Sequence, residues 1–234
     1  MALLQCVLKN PEFTLVFGDG ALKTYLFDFD GTLVDSMPSF ISGVLKELDK
    51  NGCKYNDDII KIITPLGFVG TADYFIKAFG LTINADELVQ AFKTNMENDY
   101  FYNIPAKSNV IRVLGELKAN GSSLNILTAS PHITLDACLK RLGIFDLFDN
   151  VWSCEDFSTT KADPEIYRAV AKRLKVDVGD ILFLDDNLNA DITAKAAGMK
   201  VCGVFDESSA DYVDRMRSAC DFYIYDFSEL SEIE

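Results

Sequence analysis

Two pairs of carboxylates each follow an apolar run directly. In Tyr25-Leu26-Phe27-Asp28-Phe29-Asp30-Gly31-Thr32-Leu33 two acids stand one residue apart, and Gly31 permits a sharp backbone path after them. In Ile181-Leu182-Phe183-Leu184-Asp185-Asp186-Asn187 a second pair ends a second run. Acids gathered at one edge repel one another and lose solvation, which is costly unless a cation holds them. A hard divalent cation with oxygen ligands suits such a set, and Mg²⁺ is the usual choice where a phosphate also binds. Asp28, Asp30, Asp185 and Asp186 are therefore the candidate metal-binding residues. Asp191 follows at what reads as a helix start, where it serves as a cap or dipole partner, and stays outside the set.

Two further segments could act on a phosphate. Ile126-Leu127-Thr128-Ala129-Ser130-Pro131 ends a third apolar run in hydroxyls. Thr128 and the backbone N–H of Ala129 can hold phosphate oxygens, although Ser and Thr commonly end strands. Lys161, in Thr160-Lys161-Ala162-Asp163-Pro164, reads either as a solvated surface lysine or as a cation that neutralises a phosphate and orients a nucleophile. His132 reads as a plain helix-start residue, and Trp152 as core.

Elements must bring these residues together. The runs Thr24–Phe27, Leu124–Thr128, Val151–Ser153, Ile181–Leu184, Val201–Phe205 and Phe222–Tyr225 lack polar alternation and end at turn signals, so they predict buried strands. Between them, Val110–Ala119, Ile133–Leu142, Pro164–Leu174 and Asp191–Ala197 carry helical periods. Alternating strands and helices predict an α/β fold: a Rossmann-like parallel sheet with helices on both faces. Ligands of such sheets sit at the carboxyl ends of the strands, where both acid pairs fall. From Met37 to Ile104 the rhythm breaks into helical periods, with Phe40–Asn51, Asp57–Ile63, Thr71–Phe79 and Ala85–Asp99 as helices. The expected organisation is a core of residues 1–36 and 105–234 with a small helical domain, 37–104, inserted into it. Thr64–Gly70 reads as a Gly-punctuated loop of that insertion. Phe17-Gly18-Asp19-Gly20 reads as the turn of an N-terminal hairpin within 1–22, or this stretch is a frayed extension.

Composition excludes several classes. A chain of 234 residues with a net charge of −14 repels nucleic acid and anionic membrane, so neither is expected as a partner. A phosphate ester is also an anion, so a local cation must outweigh this field at the site. Six scattered cysteines without a C-x-x-C pair argue against a zinc ribbon or redox motif. No apolar run is long enough to span a membrane, and Met1–Leu8 lacks the features of a signal peptide, so a cytoplasmic location is expected.

Asp28-x-Asp30-Gly31-Thr32, Thr128, Lys161 and Asp185-Asp186 resemble, in order and spacing, the four motifs of the haloacid dehalogenase superfamily. The run DFDGTLVDS resembles the phosphatase-type branch with a helical cap inserted after the first motif. The resemblance implies a Mg²⁺-dependent phosphatase of a small phosphorylated metabolite, with a phosphomutase like β-phosphoglucomutase as the alternative. It implies that Asp28 is the nucleophile and a metal ligand. Asp30 is the general acid/base, and its backbone carbonyl meets the metal. Thr128 and Ala129 bind the phosphoryl group, Lys161 steadies Asp28, and Asp186 ligates the metal with Asp185 beside it. Many relatives carry a further Asp where this chain has Ala190, and here Asp191 is displaced by one.

Overall fold

The computed structural model describes residues 24–233. The expected N-terminal hairpin lies outside the described residues. The chain divides into two compact units, one reaching to Val34 and resuming at Ala106, the other Asp35–Pro105.

The first unit opens with strand β1 (Thr24–Phe27), every residue of which is buried. The second unit is helical throughout: α1 (Met37–Lys50), α2 (Asp58–Ile63), α3 (Gly67–Phe79) and α4 (Ala85–Tyr102). Its centre is aromatic, with Phe75 edge-on to Phe92 and Phe68 between Phe40 and Phe92. Helix α1 approaches α4 closely at Gly43, where a Cβ would stand 2.6 Å from Met96 Cγ. The buried carboxylate of Glu47 is met there by Lys50 and by Asn95 Nδ2 at 2.7 Å. The loop expected at Thr64–Gly70 is not one. Residues Thr64–Leu66 form a 3₁₀ turn, and α3 begins at Gly67, whose φ of 60° absorbs the change of direction. Gly70 lies inside α3, where a Cβ would crowd that of Leu66, at 2.9 Å.

The first unit then continues α5 (Val110–Ala119), β2 (Ser123–Thr128), α6 (His132–Leu142), β3 (Asn150–Ser153), α7 (Pro164–Leu174), β4 (Ile181–Asp185), α8 (Leu188–Ala197), β5 (Lys200–Val204), α9 (Val213–Ala219) and β6 (Phe222–Ile224). Six parallel strands are ordered β3-β2-β1-β4-β5-β6. On one face Leu26 and Phe183 pack with Ile166 and Tyr167 of α7 and Ala194 of α8. On the other, Phe27 contacts Phe148 and Phe227. Both faces are covered, which is why the strands read as unbroken apolar runs.

The predicted strands are all present, with small shifts at their ends. β5 stops at Val204, yet Phe205 N–H still donates to the Ile224 carbonyl at 2.8 Å. Helix α8 starts three residues earlier than predicted, because Asn187 Oδ1 caps it by accepting from Asn189 and Ala190 N–H at 3.0 and 3.3 Å. The five described cysteines are free thiols. No described helix is long and apolar enough to cross a membrane.

Candidate active site

Sheet register brings the acids together. Phe27 at the end of β1 pairs with Ile126 of β2 and Leu184 of β4. Asp28 prolongs the ladder by one bond, donating its N–H to the Leu184 carbonyl at 2.8 Å. Asp28 and Asp185 thus leave neighbouring strands at the same level, and Asp186 follows. One oxygen from each of Asp28, Asp185 and Asp186 lies within 4.8 Å of the others. An all-oxygen, hard donor set of this kind fits Mg²⁺.

Lys161 enters this cluster from the loop before α7. Asp163 caps that helix, accepting from Glu165 N–H at 2.9 Å, and Pro164 occupies its first position. The Tyr167 hydroxyl lies 3.1 Å from the Lys161 carbonyl and 3.2 Å from that of Ala190, tying the loop to α8. The ammonium donates to Asp28 Oδ1 and to Asp185 Oδ2, the latter at 2.7 Å. Asp185 Oδ1 accepts from Asn187 N–H at 2.8 Å, so both its oxygens hold an N–H donor. Asp186 Oδ1 accepts from the Thr32 hydroxyl at 3.2 Å.

The electrostatics reflect crowding. Burial pushes the Asp28 carboxyl up to about 7, with Lys161 pulling it back and Asp185 and Asp30 adding to the rise. Asp186 is raised well above the usual carboxylate range, by burial first and then by Asp185, Asp28 and Asp206. Burial alone would depress Lys161, but Asp185 and Asp28 outweigh it and hold the ammonium charged.

Asp30 stands apart from the trio and accepts a short hydrogen bond from the Ser130 hydroxyl. Thr128 is buried at the end of β2, and its Oγ1 accepts from Ser130 N–H at 3.1 Å. That leaves the Thr128 O–H as a donor, beside the exposed Ala129. His132, at the start of α6, is held on both sides: Nδ1 lies 3.1 Å from Asp136 and Nε2 lies 2.9 Å from Asp156. Its pKa is raised, chiefly by the Asp156 hydrogen bond and then by that of Asp136. Asp191 lies buried on α8, with Oδ2 accepting from Cys220 Sγ at 3.2 Å, and it is not one of the trio.

Sequence reading named Asp28, Asp30, Thr128, Ala129, Lys161, Asp185 and Asp186; the structure places the acids, Thr128 and Ala129 at the carboxyl ends of β1, β2 and β4, and Lys161 reaches Asp28 and Asp185 from the loop between β3 and α7. Sequence reading missed the hydroxyls of Thr32, Ser130 and Tyr167, which position those groups. Thr32 and Ser130 were visible in the motifs themselves. Tyr167 gave no signal, being one apolar residue among many in α7.

Comparison with known proteins shows the family. "Pyrophosphatase PpaX" of Bacillus velezensis is 30% identical, over 80% of this chain and 84% of its own. "Phosphoglycolate phosphatase" of Rhodospirillum rubrum is 28% identical, over 76% and 78%. The crystal structure of YfnB from Bacillus subtilis, bound to magnesium, superposes with a TM-score of 0.73 at 19% identity, over 91% of this chain and 98% of that one. The model of the family described as "haloacid dehalogenase-like hydrolase" matches residues 22–198, most of the chain and all four segments built above, and the protein belongs to that family.

Proposed function

We propose that the protein is a Mg²⁺-dependent phosphatase that hydrolyses a small phosphate monoester through an aspartyl-phosphate on Asp28. The observation that carries this reading is the bridge from Lys161 to Asp28 and Asp185 within a trio of carboxylates. A nucleophilic carboxylate held by a fixed cation suits attack on phosphorus, and Ser130 keeps a second carboxylate, Asp30, oriented as a separate acid/base.

Asp28 attacks phosphorus, and the bond to the leaving oxygen breaks as Asp30 gives that oxygen a proton. Asp30 then takes a proton from the water that hydrolyses the aspartyl-phosphate. Lys161 favours the ionised form of Asp28 against its burial, and the Thr128 hydroxyl and Ala129 N–H hold phosphoryl oxygens. Asp28, Asp186 and the backbone of Asp30, with Asp185 beside them, would hold Mg²⁺, which offsets charge on the phosphoryl group. The named relatives point to small phosphorylated substrates.

Asp28→Asn is expected to lower Mg²⁺-dependent phosphate release from p-nitrophenyl phosphate by ~10³-fold or more, with an unchanged circular dichroism spectrum. Turnover surviving in that variant would remove Asp28 as nucleophile.

A further inference from the structure

Lys107 has no part in the four motifs, yet its ammonium uses all three of its hydrogens. It donates to the Gly31 carbonyl at 2.7 Å, to the Phe205 carbonyl at 2.6 Å and to Asp206 Oδ2 at 2.9 Å. Its side chain is 19% exposed and that of Asp206 only 6%. Asp206 is itself fixed, its Oδ1 accepting from Ser208 N–H at 2.9 Å. The Lys107 N–H donates to the Leu33 carbonyl at 3.0 Å. One residue therefore ties the loop after β1 to the segment after β5.

The loop it ties is the one that carries the chemistry. Gly31 lies between Asp30 and Thr32, has a φ of +76°, and packs so tightly under Asp186 that a Cβ would stand 2.5 Å from Asp186 Oδ2. Within the loop, Leu33 and Val34 N–H both return to the Phe29 carbonyl. Such a turn moves as one body, so displacing Gly31 displaces Asp30, the Thr32 hydroxyl and the seat of Asp186 together.

We propose that Lys107 is a positioning residue: by clamping the Gly31 carbonyl to Phe205 and Asp206, it sets the Asp28–Thr32 loop against Asp186 for metal binding and turnover. Its hydrogens are all taken, so it has none to spare for substrate. Its charge is matched by that of Asp206, so the clamp adds no net cation to the site. The assignment rests on the phosphatase reading for its kinetic arm and not for its metal-binding arm.

The test compares the full-length wild type with Lys107→Arg, Lys107→Gln, Lys107→Met and the double variant Lys107→Met/Asp206→Asn. The double variant removes both charges and leaves the loop untied. In it, kcat for p-nitrophenyl phosphate is expected to fall about tenfold or more while KM moves less than about twofold. Calorimetric titration with Mg²⁺ alone is expected to show a Kd weakened by about fivefold or more. Lys107→Arg, which keeps a charged multiple donor, is expected to recover most of the kcat lost in Lys107→Met. If the double variant does not fold, Lys107→Gln carries the same two measurements. A kcat and a Mg²⁺ Kd both within about twofold of wild type overturn the proposal, even where thermal stability drops. Failure of Arg to recover activity overturns it as well. A wild type that binds Mg²⁺ but releases no phosphate counts against the phosphatase reading, while the Mg²⁺ titration still decides the clamp.

Discussion

Asp30 and Asp28 are the same residue type two positions apart, and their surroundings differ in the way the proposed division of work requires. Asp28 is buried, faces Lys161, and has a pKa near the middle of the scale only because a cation offsets its burial. Asp30 is half-buried and takes a hydroxyl donor from another strand end. General acid/base help is typically worth about 10²–10⁴-fold, and a group held in the right orientation delivers more of it. Ser130→Ala is expected to lower kcat about tenfold and leave KM and the melting temperature nearly unchanged. Steady-state kinetics on p-nitrophenyl phosphate checks this, and an unaltered kcat would mean that Asp30 needs no orienting partner.

At the scale of elements, the loop after β1 has the least room. Gly31→Ala introduces a Cβ where Asp186 Oδ2 already sits, on a backbone with positive φ, so the carboxylate must move away. Mg²⁺ affinity by calorimetry is expected to fall at least tenfold in this variant, while the sheet, built from other residues, keeps its circular dichroism. The strands and the carboxylates at their ends were legible in the sequence, because burial on both faces writes strands as apolar runs and ends them in polar residues. The groups that orient those carboxylates were not. Ser130 meets Asp30 across 100 positions, and Thr32 meets Asp186 across 154, distances at which no local period survives. Lys107 was unreadable for the same reason: its partners lie on two segments far from it in the chain. Helix starts shifted where a side-chain cap such as Asn187 competed with the apolar pattern.

For the whole molecule, the site is a source of instability. Burial and like charges raise the carboxyls of Asp28 and Asp186, and of Asp191 on α8, above their ordinary values. A carboxyl whose folded pKa lies above its unfolded value contributes stability that is fully present below about pH 4 and is lost as the pH rises through the folded value. In EDTA the melting temperature is therefore expected to fall between about pH 5 and pH 8, with Mg²⁺ raising it more at the upper end. The net charge of −14 adds a repulsion that salt screens, so melts in high salt isolate the contribution of the buried acids. A melting temperature that is flat over this range in EDTA would contradict the crowding described for the trio. Asp186→Asn is expected to flatten the profile.

The central place of β1 in the sheet has a consequence for synthesis. Its two neighbours, β2 and β4, begin only at Ser123 and Ile181, so residues 28–122 must be made before either side of β1 can be covered. At ribosomal rates of about 5–20 residues per second, a four-residue apolar strand spends seconds or longer as a nascent segment without its partners. The strand that delivers Asp28 is thus the part of the sheet that waits longest on the ribosome, and the part for which a chaperone would be most useful.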